Sequence, residues 1–578
     1  MSPFVSLTFR TWSVGDFYSG DFDMGSIEMR WFFLKMRRTL GERFLFVRSY
    51  FPDSYRIMFL ADLTAWHLSV QGKNKKVMDN IFECDAPRSK GRKQGLINTR
   101  LIIYILGVLV LVEAGLFALC AGVSLLYEEP DYIYFVQTMG INIALGGSMV
   151  LVGKRTDNLI SRRDGYCIVS VSWLLFTALG MLPFYFSGYI PSVADAFFET
   201  MSGFTTTGAT ILDDIESLPY GLLFWRSLTQ WIGGLGIVLF TIALLPLFSG
   251  SSQQLFLSEA TGVTHDKIHP KAKIMARYLW LIYIGLTLVE TILLMCGGMN
   301  LFDAICHSFA TTATGGFSTK QDSVSYWHSP FIEYVISIFM ILSGVNFSLY
   351  YMALKGKYQN LLRDRELHWF LKSVGILTGI ITIALFVTDY YDLETAFRKA
   401  LFQVATVHTS CGFATDDYNL WPQFTWMLLL FAMLSGGCTG STSGGVKNLR
   451  LLIIAQNIRN QFKQMLHPRA VLPVRVNKEA ISSQVSATVY TFFATYLVCI
   501  FVGWTLLMCF GVGLTEAMST VVSAIGNVGP GLGAFGPVFS WAALPDAAKW
   551  ILSVLMFIGR LEIFGILLLF YRGFWEDN

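Results

Sequence analysis

Four short lines of this sequence share one layout. They are Ala196–Ile211 (AFFETMSGFTTTGATI), Ala304–Thr319 (AICHSFATTATGGFST), Ala400–Thr415 (ALFQVATVHTSCGFAT) and Ala517–Leu532 (AMSTVVSAIGNVGPGL). In each, a Gly falls 12 residues after the opening Ala: Gly208, Gly316, Gly412 and Gly529. Thr, Ser or Asn stands within the two residues before each glycine. The chemistry these residues offer is backbone carbonyl oxygen. A cation stripped of water inside a membrane needs oxygen ligands, and rings of carbonyls supply them without burying a full charge. Gly permits the bends that turn successive carbonyls toward one axis. The candidate ligands are Thr206, Thr207 and Gly208; Thr314, Gly315 and Gly316; Ser410, Cys411 and Gly412; and Asn527, Val528 and Gly529.

Residue types narrow the ion. The segments Thr205–Ala209, Thr314–Ser318, Ser410–Ala414 and Asn527–Gly531 contain no Asp or Glu, and no Arg or Lys. A divalent-selective carboxylate ring and an anion-selective basic ring are both missing. Neutral carbonyls suit a weakly hydrated monovalent cation such as K⁺. Nearby Asp213, Asp214, Asp416 and Asp417 either concentrate cations at the mouth or are plain solvated loop charges. His307 and His408 read as helix-packing residues rather than proton relays.

Two other features stand out. Ser435 is followed by GGCTGSTSGG, with Gly436, Gly437, Gly440, Ser441, Gly444 and Gly445 among its residues. Gly costs about 1 kcal/mol relative to Ala in a helix, so this run predicts an intramembrane, pore-lining loop. Arg560 lies near the middle of the last apolar stretch. Facing lipid it would cost at least ~2.5–3.5 kcal/mol, so it is expected to face a pore or a partner.

These lines need elements to hold them. Ten apolar stretches reach the length that spans a bilayer: 101–126, 132–153, 166–188, 219–249, 275–298, 329–354, 369–388, 422–456, 483–511 and 547–571. Four pieces (193–205, 301–313, 397–409 and 514–526) are too short and run into the glycine turns. Short helices that enter the membrane and turn back fit them, since irregular backbone at this depth is tolerated only where it lines a cavity. Their C-terminal ends would aim partial negative charge at a cation. Glycine spacings of 108, 96 and 117 leave room for a span, a short helix and a span per unit. The loops 154–163, 267–277, 355–367 and 459–478 are basic, so the positive-inside rule places them and both termini in the cytoplasm.

Composition excludes other classes. Of 578 residues, 53% are hydrophobic and 14% charged, against about 25% charged in ordinary globular proteins. Mean hydropathy is +0.51. A soluble enzyme and a nucleic-acid binder fit poorly. The nine cysteines form no CxxC pair and read as small buried apolar residues. No HExxH, GxSxG or GxxxxGK[ST] is present, so no enzyme activity, covalent cofactor or nucleotide site is expected. Residues 1–95 are either a small cytoplasmic or membrane-surface element or an upstream extension of the reading frame, with Met78 as the start.

The four lines together with Gly436–Lys447 resemble the TrkH branch of the Trk/Ktr/HKT potassium-transport superfamily, over residues 96–578. The resemblance implies an all-α polytopic protein with ten transmembrane helices and four tandem helix–pore-loop–helix repeats around one channel-like pore. It implies a 96–160 leader, then repeats at 161–250, 265–358, 366–458 and 478–578. It also implies potassium uptake through the bacterial inner membrane, a homodimer, and a separate TrkA-like cytoplasmic nucleotide-binding subunit. Loop 447–478 and loop 250–277 are its candidate docking surfaces. Glycine at all four filter positions is what K⁺-selective members carry. The matching loop is a gate and the matching Arg sits at the constriction, which assigns gating to 436–445 and Arg560. Residues 1–95 depart from the family pattern. A proton- or sodium-coupled potassium symporter is the alternative, which would call for inverted repeats; here all repeats enter in the same direction.

Overall fold

The computed structural model describes residues 97–153, 161–236, 272–477 and 479–576. The expected N-terminal element at 1–95, residues 154–160 of the first basic loop and positions 250–271 of a candidate docking loop lie outside the described residues.

The first described elements are α1 (Thr99–Leu126) and α2 (Tyr132–Val152). A side chain at Gly107 would meet the Gly146 carbonyl and one at Gly146 would meet the Gly107 carbonyl, each at 2.9 Å. Small residues let membrane helices approach this closely. The buried amide of Asn142 on α2 donates to the Glu113 carboxylate on α1 at 3.1 Å.

Four similar segments follow. The first holds α3 (Arg162–Gly180), α4 (Leu182–Ser187), the short α5 (Val193–Phe204) and α6 (Tyr220–Leu235). The second holds α7 (Ala272–Cys296), the short α8 (Leu301–Ala313), α9 (Pro330–Ser343) and α10 (Phe347–Leu354), and α11 (Tyr358–Arg363) leads onward. In the third are α12 (Arg365–Val387), the short α13 (Leu393–His408), α14 (Gln423–Ser435) and α15 (Asn448–Leu466). A small antiparallel pair, β1 (Arg475–Val476) with β2 (Glu479–Ala480), pairs Arg475 with Ala480 and Val476 with Glu479. The fourth holds α16 (Ser483–Cys509), the short α17 (Leu514–Gly526), α18 (Asp546–Arg560) and α19 (Phe564–Phe570).

Local sequence explains where the short helices start. Ser192, Asn300 and Asp392 cap α5, α8 and α13 through their side chains, each accepting the backbone N–H three residues on. The short helices are then enclosed: from Ala194 to Phe204 on α5, only Asp195 and Phe197 are not buried. The long helices differ. Leu281, Leu288 and Ile292 on α7, and Ile376, Ile380 and Ile383 on α12, are exposed at helical spacing, the apolar stripe that lipid would cover.

The expected continuous spans are only partly present. Among the described residues six helices are long and apolar enough to cross a membrane, and two more candidates are bent pairs. The α9–α10 pair turns by 89° and the α18–α19 pair by 113°. The described part of the 219–249 stretch ends at Gly236, whose φ is +87. Stretch 422–456 breaks after Ser435, as the glycine run predicts. Hydropathy misses the other breaks because it counts apolarity rather than backbone. Gly344 and Asn346 make the α9–α10 corner, with Asn346 capping Ser348. Glu562 and Ile563, both at positive φ, make the α18–α19 corner without glycine or proline.

Candidate ion pathway

The four glycine loops sit side by side. Thr206, Thr314, Ser410 and Asn527 have φ of +54, +55, +55 and +53, and two residues on Gly208, Gly316, Gly412 and Gly529 have φ of +82, +77, +95 and +104. The residue between them, Thr207, Gly315, Cys411 or Val528, is not left-handed. Left-handed backbone costs an ordinary residue roughly 1–2 kcal/mol. Four copies of the same two-point pattern mean that the packing around each loop imposes it.

The loops also touch in cyclic order. A Cβ on Gly208 would collide with the Gly315 carbonyl oxygen, on Gly316 with that of Cys411, on Gly412 with that of Val528, and on Gly529 with that of Thr207. Each glycine therefore faces the carbonyl just ahead of the next loop's glycine, and the fourth closes on the first. No side chain fits in that ring. All four glycines line one cleft.

Side chains lock the loops from behind. Gln230 on α6 donates to the Gly315 carbonyl at 2.7 Å and accepts from Phe317 N–H at 3.0 Å. Asn527 donates to Met556 O at 2.9 Å and to Thr207 Oγ1 at 3.1 Å. Arg226, 1% exposed, pairs with Glu199 at 2.9 Å, donates to Ser318 O at 3.0 Å and stacks on Phe317. Glu199 in turn accepts from Ile211 N–H at 3.0 Å. Tyr418 donates to Gly531 O at 2.6 Å. His307 and His408 are fully buried with both ring nitrogens engaged, by Asp303 O and Ser318 in one case and by two serines in the other. Asp213 and Asp214 are exposed, whereas Asp416 accepts from Tyr391 and Trp421, each at 2.9 Å.

Loop 436–447 lies on the α14–α15 side of this ring, against the left-handed residues. Gly444 N–H donates to Ser410 Oγ at 2.6 Å, and Thr442 Oγ1 lies 3.3 Å from Thr314 Oγ1. A Cβ on Gly444 would collide with Gly526 O. The loop also enters the α9–α10 corner, where Cys438 N–H donates to Gly344 O and Phe347 N–H to Gly440 O. It folds on itself through Gly437 N–H to Ser443 Oγ and Val446 N–H to Leu434 O. Gly436, Gly440 and Gly445 take the positive φ that this course needs, and Ser441 closes a turn onto Cys438 O.

Arg560 ends α18 and holds the loop from the other side. Its guanidinium donates to Thr442 O at 2.7 Å, to Gly234 O at 2.8 Å and to Gly233 O. It thus bridges loop 436–447 to the end of α6. Glu562, two residues on, pairs instead with Arg450 on α15.

Arg226, Gln230 and Glu199 are absent from the sequence-derived set, although an Arg and a Gln four residues apart in an apolar stretch are the signal that such residues face inward. The buried cysteines Cys120, Cys167, Cys306, Cys411 and Cys438 behave as small apolar residues, while Cys296 and Cys509 are exposed. Among the described residues no group of three or more His, Cys, Asp or Glu gathers to hold a metal.

Comparison with known proteins agrees with this architecture. The family model for the cation transport protein TrkH matches residues 133–576. The chain is 38% identical over 482 residues to the Trk system potassium uptake protein TrkH of Salmonella typhimurium, covering 83% of this chain and 99% of that protein. Identity to the Escherichia coli K12 protein of the same name is 36% over 482 residues, with the same coverage. The crystal structure of the potassium transporter TrkH from Vibrio parahaemolyticus matches with a TM-score of 0.76 at 34% identity, over 83% of this chain and 100% of that one.

Proposed function

This chain belongs to the TrkH family of potassium uptake proteins, and from that premise we propose that its four glycine loops form a K⁺-selective filter in a gated, channel-like pore. The observation that carries the reading is the closed ring of glycines and neighbouring carbonyls. Carbonyls in a ring replace a weakly hydrated ion's water, and no acidic ring is there to favour divalent ions. The pore is built from four repeats in ten membrane crossings, three of them broken among the described residues. The basic loops face the cytoplasm of a bacterium and the filter opens outward across the inner membrane.

Loop 436–447 is the gate in this reading. It lies against Thr314, Ser410 and Gly526, and Arg560 ties it to α6. An ion leaving the filter meets the loop and a fixed positive charge. Opening requires the loop to leave. A TrkA-like cytoplasmic nucleotide-binding subunit would move it, and two copies of this chain would assemble as a dimer.

Tracer Rb⁺ uptake by a bacterial strain lacking its own potassium uptake tests the reading. Uptake restored by the native chain and cut about tenfold or more by Gly412→Ala supports it. Uptake at the native level in Gly412→Ala overturns it.

One observation favours the coupled alternative. Glu290 on α7 is fully buried in the bundle, with the Thr311 side chain as its polar neighbour. A buried acid of this kind marks proton pathways in membrane proteins. Rb⁺ flux driven by a proton gradient and lost in Glu290→Gln would establish symport, whereas flux indifferent to that gradient and to that substitution would leave the channel reading standing.

A further inference from the structure

One buried carboxylate beside the gate loop has no part in the ion path. Glu366, the second residue of α12, is 6% exposed. Its Oε1 accepts from Thr439 N–H at 2.5 Å and from Leu449 N–H at 3.1 Å. Thr439 lies in the first limb of loop 436–447, and Leu449 opens the helix that follows the second limb. A single oxygen therefore ties both limbs to α12. Negative charge at the start of α15 also suits that helix's dipole.

The same turn of α12 is gripped from the α15 side by the β1–β2 pair. Asp364 caps α12 by accepting from Leu367 N–H at 2.8 Å, and its other oxygen accepts from the Asn477 side chain at 2.7 Å. Asn477 in turn accepts from Arg365 N–H at 2.9 Å. The Arg365 guanidinium reaches Arg475 O at 3.3 Å. Asn477 follows β1 at φ +48, and Arg475 N–H donates to Gln456 on α15 at 3.2 Å. The hairpin thus bridges α15 and the first turn of α12.

We propose that Glu366 is the positioning residue that latches the gate loop closed, and that the hairpin at Asn477 is the handle on that latch. The proposal rests on loop 436–447 being the gate. Displacing the hairpin moves Asp364 and Arg365, draws the Glu366 carboxylate off Thr439 and Leu449, and leaves two buried N–H groups without an acceptor. The loop then gains by rearranging, because buried donors without partners are costly. Motion imposed at the surface is converted into motion under the filter over two residues of chain.

The test uses the full chain in liposomes with no other subunit, reading Rb⁺ leak and the Rb⁺/Na⁺ ratio. Glu366→Ala is expected to raise leak about tenfold or more at an unchanged Rb⁺/Na⁺ ratio, since each lost bond to a charged acceptor is worth a factor of that order. Glu366→Gln, which keeps one carbonyl acceptor, should leak less, and Asn477→Ala less again but above the native chain. A chain lacking 436–445 is the reference. If it leaks while Glu366→Ala does not, the latch is wrong and the gate stands. If it does not leak either, the gate reading has failed and the latch falls with it. Leak accompanied by a collapsed Rb⁺/Na⁺ ratio would make Glu366 a support of the filter and overturn the proposal. Should Glu366→Ala not fold, native-level leak in both Glu366→Gln and Asn477→Ala overturns it equally.

Discussion

The filter loops and loop 436–447 are both glycine-rich, irregular chain within an apolar bundle, yet they are secured in opposite ways. Each filter loop repeats one backbone pattern and leans on the next loop's carbonyl, so the four constrain one another. Loop 436–447 has no counterpart of similar length among the described residues, where the corners of α9–α10 and α18–α19 are three residues long. It is held by its own turns and by side chains that reach it from outside, Arg560 and Glu366 foremost. A closed ring of quasi-equivalent parts cannot relax one member without disturbing the rest, which suits a fixed ion cage. A single loop pinned by a few polar contacts can be released by removing them.

That contrast can be broken on the filter side first. Arg226→Ala leaves Glu199 buried without its cation, a loss of about 3–5 kcal/mol, and thermal unfolding of the purified protein should fall well below that of the native chain. Gly412→Ala keeps the fold but combines the left-handed cost of about 1–2 kcal/mol with a clash against Val528 O. Flux should drop by roughly tenfold or more, at about 1.4 kcal/mol per decade.

On the loop side the signs reverse. Removing Gly436–Gly445 should raise closed-state leak while the Rb⁺/Na⁺ ratio holds, because the ring is left intact. Arg560→Ala removes bonds from a charged donor, each worth about 1.5–3 kcal/mol. Conductance should change several-fold, and unchanged conductance would place Arg560 outside the ion path. Smallest of all is Asn300→Ala, which removes the α8 cap and should cost about 1 kcal/mol of stability with selectivity preserved. A stability loss as large as that of Arg226→Ala would erase the distinction drawn between the ring and its periphery.

The sequence was most readable where a pattern recurs. A glycine at a fixed offset in four lines located the turns, whereas the caps Ser192, Asn300 and Asp392 went unread although Ser, Asn and Asp are ordinary capping types. The break at Ser435 was equally visible, since ten small or polar residues interrupt an apolar run. The corner at Glu562 and Ile563 was not, because neither residue favours left-handed backbone and only tertiary contacts hold it there. Gln230 and Glu366 were hidden for a related reason. A side chain that clamps a backbone amide or carbonyl 73 to 87 residues away leaves no local trace in composition or spacing.

The most direct test of the pore is Rb⁺ and Na⁺ flux into liposomes holding the purified protein, with Gly316→Ser measured alongside. At Gly316 a side chain would be forced against the Cys411 carbonyl, so the native chain should pass Rb⁺ in preference to Na⁺ and the variant should lose that preference. Equal passage of both ions, indifferent to the substitution, would mean that ions do not cross at the glycine ring and would contradict the account.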